Sequence, residues 1–306
     1  MGQVVIFSQV MRPTWIVENF VKEPSFKELT DAAKELGYPL IELNGDFSKE
    51  IFHKKLVEAN ILAPGSNRLQ CEFGGEDNAC MVANGSLKMC RIITEELTTL
   101  GIKPTLLPTF EKYKCSAYYS HFGPYLFNDK YCMMSLKEVI RQKYDVWGHY
   151  GKDSIIFIRP DSGEKTFQAG LVDIIDLPRL WDANKDVEHE MVLVSTPKNI
   201  LWEGRFVVSK SKGIIASSTY RFQGKVCLIP SVPPETTKFC NQLLQRVDYA
   251  PDPVFCFDIC QDNDKNCWLM ELTSFSSAGL YATDKKAIIE KVSEIAMQEW
   301  GKKSSV

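Results

Sequence analysis

The sequence lacks the features that mark several common classes of protein. No apolar run approaches the roughly 18 residues needed to cross a bilayer, so no membrane segment is expected. The 36 basic and 39 acidic residues give a net charge of −3, which argues against a dedicated nucleic-acid-binding protein, because such proteins rely on a basic surface. The first residues show neither a basic region nor a small-residue cleavage site, so no secretory signal is expected.

Signatures of metal binding and of disulfide formation are also scarce. The ten cysteines include no Cys-x-x-Cys pair, and the chain has only four histidines, so a structural zinc site is not expected. Cys227 and Cys256 lie within apolar runs, where a free thiol behaves as a small hydrophobic side chain. This usage predicts a reduced protein located in the cytoplasm.

The common phosphate-binding and nucleophile motifs are missing as well. The sequence contains no Gly-x-x-x-x-Gly-Lys-[Ser/Thr], no Gly-x-Gly-x-x-Gly after a strand and no Gly-x-Ser-x-Gly. Residues 261–266 resemble a calcium loop only faintly, because the central glycine and the terminal glutamate are absent. A polar hairpin turn is the better interpretation of this segment.

The first hundred residues alternate between short apolar runs and amphipathic segments. Four strands are predicted, at 4–7, 39–43, 60–63 and 102–107. Between them, helices are predicted to begin at Ser25, near residue 48 and at Ser86, where capping residues precede apolar positions at helical spacing. Repeated β-α units of this length predict an α/β front domain with a mostly parallel sheet.

The pattern changes near residue 110. The segment 108–150 is rich in aromatic residues and its role is not indicated, although Ser135 and Glu138 form a capping box that predicts a helix. The remainder is rich in residues that favour β-structure. Strands are predicted at 154–159, 166–175, 190–196, 204–209, 213–220, 225–229, 254–260 and 267–272, and helices at 234–247 and 284–300.

Arg159 and Lys165 flank a small polar loop in the second half of the chain. A strand delivers Arg159, Gly163 lies in the loop, and Lys165 is predicted to start the next strand. Two cations beside backbone N–H donors suit a polyphosphate. The alternative is a solvated hairpin with ordinary surface charges.

A second candidate lies around the apolar run 191–195 and the segment that follows it. A strand that ends in a bend can present backbone groups to a flat base, and the carboxylate of Glu203 can accept hydrogen bonds from ribose hydroxyls. In the alternative interpretation, Glu203 and Arg205 form an ion pair with each other.

Asp258 and Glu271 each interrupt an apolar strand, where an unpaired carboxylate would be costly. A hairpin centred between residues 263 and 264 would place Asp258 opposite Leu269. Glu271 would then be its diagonal neighbour on the same face, roughly 7–8 Å away between Cα atoms. Two such carboxylates can converge on a hard cation, although a register shifted by one residue would break this arrangement.

In chain order, these segments resemble the ATP-grasp superfamily and, within it, the clade named for two conserved arginines and a lysine. The matching segments are FIRPDSGEK (157–165), EGRFVV (203–208), ASSTYR (216–221), FDI (257–259) and ELTSFSSAGLY (271–281). The resemblance implies a Rossmann-like domain over 1–110 that helps to form the acceptor site. It further implies two α+β ATP-grasp subdomains over 111–306, with a hinge near 193–203.

The resemblance also implies the members of the active site. The residues expected to bind ATP are Arg159 and Lys165 at the phosphates, Leu193, Val194 and Ser195 at the adenine, and Glu203 at the ribose. The residues expected to act in catalysis are Arg159, Arg205 and Arg221. The residues expected to bind magnesium are Asp258, Glu271 and Thr273. Thr273 stands where the family usually has a metal-binding asparagine, and a hydroxyl is a weaker ligand than an amide carbonyl.

Members of the superfamily activate a carboxylate as an acyl phosphate, which an amine then attacks. The resemblance therefore implies an ATP- and magnesium-dependent carboxylate–amine ligase, with ATP and magnesium as cofactors. Its substrates would be a small-molecule or peptide carboxylate and an amine. Two alternatives stay open: a small-molecule kinase on the same fold, and a nucleotide-binding module without turnover. The sequence indicates neither the identity of the substrates nor the oligomeric state.

Overall fold

The computed structural model describes residues 12–19, 24–45, 48–62, 78–100, 102–183 and 189–303. The chain divides into two compact units, of which one comprises residues 1–107 with 285–306 and the other residues 108–284. Among the residues that the structure describes, no helix combines the length and the apolar character that crossing a membrane requires.

The described residues of the first unit form a four-stranded parallel sheet with helices between its strands. Its elements are β1 (Thr14–Asn19), α1 (Pro24–Glu35), β2 (Leu40–Asn44), α2 (Lys49–Glu58), β3 (Asn78–Asn84), α3 (Leu87–Thr99) and β4 (Lys103–Leu106). The strand order is β2-β1-β3-β4. The predicted parallel sheet is confirmed, and the predicted N-cap Ser86 accepts a hydrogen bond from the backbone of Met89 at 3.1 Å.

Two details of the first unit differ from the sequence-based expectation. The described part of 60–63 shows only a β-bridge at Leu62, because Asn60 adopts a left-handed φ of 56° and ends α2 in a hydrogen-bonded turn. β1 and β3 were not predicted. The strand expected at 4–7 lies outside the described residues.

The C-terminal helix Lys285–Lys303 belongs to the first unit rather than to the region after residue 110. It packs against α1, β3 and β4, and its residues Ile288, Val292 and Ile295 are buried. The sequence-based division placed this helix in the region 111–306, whereas its packing groups it with the first unit. Amphipathic periodicity identifies the buried face of a helix, but it does not show which sheet that face covers.

The second unit is built on two antiparallel sheets. Its helices are α4 (Cys115–Phe122), α5 (Leu136–Arg141), α6 (Lys143–Tyr150), α7 (Leu177–Ala183) and α8 (Pro234–Arg246). Its strands are β5 (Tyr131–Ser135), β6 (Ile155–Pro160), β7 (Gly170–Asp173), β8 (Met191–Ser195), β9 (Trp202–Ser209), β10 (Gly213–Phe222), β11 (Lys225–Ile229), β12 (Phe255–Gln261) and β13 (Cys267–Ser274). The strand orders are β5-β8-β6-β7 in the four-stranded sheet and β11-β10-β9-β12-β13 in the five-stranded sheet.

The aromatic-rich segment that follows residue 108 contributes to the core of the second unit. Tyr118 and Phe122 of α4 are fully buried and belong to the same hydrophobic cluster as Phe206 of β9 and Phe257 of β12. The predicted N-cap of α5 is present, since Ser135 Oγ accepts a hydrogen bond from the Glu138 backbone at 3.3 Å.

The predicted strand 166–175 is too long. Lys165 lies in a turn with a left-handed φ of 51°, and β7 begins only at Gly170. The polar loop that follows Arg159 is therefore longer than expected, and Lys165 belongs to that loop rather than to a strand.

The register of β12 and β13 also differs from the prediction. Asp258 lies directly opposite Glu271 instead of Leu269, and Ile259 pairs with Leu269. A β-bulge at this point places Met270 as an extra residue in β13. The two carboxylates still share one face of the sheet, as direct neighbours rather than on a diagonal.

Candidate active site

A cavity of about 360 Å³ lies in the second unit between the two antiparallel sheets. Residues of β6, β7, β9, β10 and β13 line it, together with the segment that connects β8 to β9. The charged residues of the lining are Arg159, Lys198, Glu203, Arg221 and Glu271. The large apolar residues of the lining are Phe127, Phe157, Leu171, Ile200 and Met270. The cavity therefore combines an apolar surface with both signs of charge.

Arg159 and Glu271 line this cavity, and Lys165 reaches Glu271 from the neighbouring loop. Lys165 Nζ lies 2.8 Å and Arg159 Nη2 lies 3.4 Å from Glu271 Oε1. Burial would raise the pKa of Glu271, but the two cations outweigh that effect and lower its pKa from 4.5 to about 2. Arg159 Nε is buried and has no hydrogen-bond partner within the described part of the chain. The two cations carry one more charge than the carboxylate, so a net positive charge remains that can bind an anion.

Arg205 and Asp258 form a buried bidentate pair next to Glu271. Arg205 Nε and Nη2 donate to the two oxygens of Asp258 at 2.8 and 2.7 Å, and Nη1 donates to the Gly279 carbonyl at 2.7 Å. The guanidinium carbon lies 4.9 Å from the centre of the Tyr281 ring. These contacts fix Arg205 in one orientation.

Glu203 is buried and lines the cavity, and its ion-pair partner is Arg221. Arg221 Nη1 lies 3.3 Å from Glu203 Oε1. The alternative interpretation, in which Glu203 pairs with Arg205, is therefore wrong. Arg205 in β9 lies directly opposite Asp258 in the neighbouring strand β12.

Leu193, Val194 and Ser195 lie in β8, between β5 and β6, and are fully buried. Leu193 and Val194 belong to two different hydrophobic clusters of the unit, so their side chains serve its packing. The cavity lining does not include these three residues, and their expected place at the adenine stays a prediction. The lining from this part of the chain comes from the residues that follow, Thr196, Lys198 and Ile200.

Lys198 is a cavity residue that the sequence did not single out. Its Nζ donates to the Phe127 carbonyl and to Asp129 Oδ1, and it lies 5.3 Å from the centre of the Phe127 ring. A single lysine shortly after an apolar strand is too common a pattern to identify such a residue.

Thr273 lies two residues after Glu271, on the same face of β13. Its Oγ1 is buried and makes no hydrogen bond to any described residue. Within the described ranges, no cluster of three or more His, Cys, Asp or Glu side chains could hold a metal by itself. Magnesium, however, commonly takes one or two carboxylates together with phosphate oxygens of the substrate. Each oxygen of Asp258 keeps a second lone pair, so Asp258, Glu271 and Thr273 fit magnesium when a phosphate completes the coordination.

The family comparison bears directly on this site. Residues 136–291 match the model of an ATP-grasp domain family, the second family of the clade named for two arginines and a lysine. The chain belongs to this family. The matched range includes all the residues named so far for this site except Phe127 and Asp129. The resemblance to the ATP-grasp superfamily and to this clade is thereby confirmed.

Solved structures share the fold of this ATP-grasp protein at low sequence identity. D-alanine–D-alanine ligase from Bacillus anthracis complexed with ATP has a TM-score of 0.57 at 11% identity, covering 96% of this chain and 99% of that one. D-alanyl-alanine synthetase A from Vibrio cholerae has a TM-score of 0.54 at 11% identity, covering 95% and 98%. A RimK domain ATP-grasp protein from Sphaerobacter thermophilus has a TM-score of 0.51 at 9% identity, covering 94% and 98%. Comparison with curated proteins gave no match. At such identities the likeness establishes the ATP-grasp fold alone.

Proposed function

We propose that this ATP-grasp protein is an ATP- and magnesium-dependent ligase that joins a carboxylate to an amine. The observation that carries the proposal is the cavity between the two sheets of the second unit. Arg159, Arg221, Glu203 and Glu271 all line it, next to an apolar surface. The neighbours named D-alanine–D-alanine ligase and D-alanyl-alanine synthetase support this class of reaction.

In this proposal the nucleotide lies with its base on the apolar lining and its phosphates at the convergent cations. Arg159 and Lys165 bind phosphate oxygens, since their cationic groups already reach one carboxylate oxygen together. Glu203, held by Arg221, accepts hydrogen bonds from the ribose hydroxyls. Phe157 supplies apolar surface for the base.

Magnesium would be held by Glu271, Asp258 and Thr273. When bound, it offsets negative charge on the phosphate oxygens. Arg205 uses three of its five N–H groups on Asp258 and Gly279, which leaves two for an anionic group of the substrate. Because both partners are buried, this arginine needs no reorganisation before it stabilises developing charge.

The reaction has two steps. A carboxylate oxygen of the acyl substrate attacks the terminal phosphorus of ATP, which forms an acyl phosphate and releases ADP. The amine then attacks the acyl carbon, the carbon–oxygen bond to phosphate breaks, and the nitrogen loses a proton to give the amide. Fixed cations around the transferring phosphoryl group favour the first step by positioning and by electrostatic stabilisation.

The first test is thermal unfolding with and without ATP and magnesium, for the parent protein and for Glu271→Gln. Binding to the native state adds roughly 2.7 kcal/mol of stability at a hundredfold excess of ligand over Kd. We expect a magnesium-dependent rise in Tm for the parent that is lost in Glu271→Gln. The control Glu58→Gln, an exposed residue in α2, keeps the rise. No rise at millimolar ATP for the parent protein contradicts the proposed nucleotide site.

A nucleotide-binding module without turnover is a second candidate, favoured by the hydroxyl of Thr273 at the expected position of an amide ligand. If the weaker ligand limits turnover, Thr273→Asn raises the yield of product at unchanged nucleotide affinity. Product analysis supplies the readout, because a ligase releases an amide and phosphate whereas a kinase releases a phosphorylated acceptor. Absent turnover in Thr273→Asn, despite clear nucleotide binding, means that the weak ligand is not the reason.

A further inference from the structure

The turn that carries Lys165 is bound to a segment for which the proposed function gives no role. This turn, residues 161–165, directly follows β6. Asp161 is 7% exposed, and its Oδ1 accepts a hydrogen bond from the Ser116 backbone at 2.8 Å. The Asp161 N–H donates to the Met191 carbonyl at 2.8 Å. One residue thereby connects β6, β8 and the first turn of α4.

Gly163 makes the second connection by close approach. A Cβ at this position would lie 2.2 Å from the Phe110 carbonyl oxygen and 3.0 Å from Tyr113 Cβ. The obstacle is backbone, which cannot move aside as a flexible side chain can. Because φ of Gly163 is not left-handed, the position needs glycine for space and not for its conformational freedom.

The segment that receives these contacts, residues 110–116, is itself fixed. Tyr113 is buried, and its hydroxyl donates to Asp252 Oδ2 at 2.8 Å. The Thr109 N–H, just before the segment, donates to the same oxygen at 3.3 Å. Cys115, near the other end, is buried in the core cluster that contains α4. The segment is therefore a rigid support for the turn.

The turn holds Lys165 in a conformation that an isolated peptide disfavours. Its φ of 51° lies in the left-handed region, which is uncommon for a residue other than glycine. The Lys165 N–H donates to the Ser162 carbonyl at 3.4 Å, and the Glu164 N–H donates to Ser162 Oγ at 3.1 Å. Such a conformation persists where the surroundings determine it, and here it accompanies a Lys165 Nζ that lies 2.8 Å from Glu271.

We propose that Asp161 and Gly163 are positioning residues. By binding the turn to residues 110–116, they hold Arg159 and Lys165 where the phosphates of a nucleoside triphosphate lie. The inference rests on the proposed function. It adds that the affinity for the phosphates depends on this attachment, whereas the affinity for the base and ribose does not.

The experiment compares the Kd of ATP with that of adenosine, measured by calorimetry in the presence of magnesium. For Asp161→Ala and Gly163→Ala we expect about tenfold or more weaker binding of ATP, with adenosine within about twofold of the parent protein. Asp161→Asn keeps an acceptor oxygen and restores most of the ATP affinity. The matched control is Gly148→Ala, in α6, where an added Cβ meets no atom within 4 Å, and it binds both ligands like the parent.

An equal loss for ATP and adenosine would mean a merely structural role and overturns the inference, as does unchanged ATP binding in Asp161→Ala. If the parent protein binds no ATP, the proposed function fails and the inference fails with it. If the parent binds ATP and the variants bind it equally well, only the inference fails. If Gly163→Ala does not fold, the Asp161 pair of variants decides the result.

Amide hydrogen exchange of the nucleotide-free protein gives a second readout that does not depend on activity. We expect faster exchange at Ser116 and at residues 162–165 in Asp161→Ala than in the parent, because Ser116 loses its acceptor and the turn loses its attachment. Exchange that is unchanged in that segment overturns the attachment.

Discussion

Three carboxylates of the five-stranded sheet lie at or beside the cavity, and each is paired with different cationic side chains. The ion pairs are Asp258 with Arg205, Glu203 with Arg221, and Glu271 with Lys165 and Arg159. A buried charge that loses its partner is strongly destabilising, whereas an exposed pair contributes little. The residues proposed for function are therefore also residues on which the stability of the second unit depends.

Asp258→Ala should destabilise the second unit by about 3–5 kcal/mol, because it leaves the buried guanidinium of Arg205 without a carboxylate. Urea unfolding measures the loss. The matched control is Asp31→Ala, which breaks an exposed pair with Lys27 and should change stability by less than about 1 kcal/mol. A similar small effect for both variants would mean that Arg205 finds another partner.

The ion pairs of Glu271 should make stability depend on pH in the acidic range. Since the pKa of Glu271 is about 2 in the folded protein and 4.5 without its partners, the stabilisation is complete above pH 4.5. It is lost as the pH falls toward 2. In metal-free and nucleotide-free protein, the difference in Tm between the parent and Glu271→Gln should therefore shrink over this interval. A difference that stays constant there argues against the lowered pKa.

Among the elements, the hairpin of β12 and β13 shows where prediction from the sequence reaches its limit. Alternation of apolar and polar residues predicts both strands and places Asp258 and Glu271 on one face, because the period of a strand is two residues. The bulge at Met270 adds a residue that no local pattern marks. It brings the consecutive residues Met270 and Glu271 to the same cavity, which regular alternation would prevent.

The turn at 161–165 shows the same limit for a different reason. Its polar composition predicts a loop between two cations, and both cations do reach one carboxylate. The left-handed Lys165 and the attachment of Gly163 to Phe110 depend on a segment about fifty residues earlier in the chain. Contacts of this kind are set by tertiary packing, which composition and periodicity do not encode.

For the whole molecule, the sequence predicts two kinds of architecture and the order in which they occur. It does not predict that the C-terminal helix completes the first unit. Trp15 and Ser293, joined by a 3.0 Å hydrogen bond, are 278 residues apart in the chain. Pairing over that distance leaves no local signal in either segment.

Ile288→Ala should therefore destabilise the first unit and not the second. Ile288 is fully buried in the C-terminal helix, and removing such a side chain costs about 2–5 kcal/mol. Hydrogen exchange measures the two units separately. We expect lower protection in residues 12–107 and unchanged protection in residues 108–284. Equal loss of protection in both units would mean that they unfold as one.

This division also sets an order of events during synthesis on the ribosome. Residues 108–284 emerge as a complete unit, and domains generally fold as units while the chain is still growing. The first unit emerges earlier, but the helix that covers α1, β3 and β4 is translated only after residues 108–284. In a nascent chain, the N-terminal part therefore keeps apolar surface exposed until this helix has been made, even after residues 108–284 are complete. A chaperone that acts on this protein during translation would find its target in the N-terminal hundred residues.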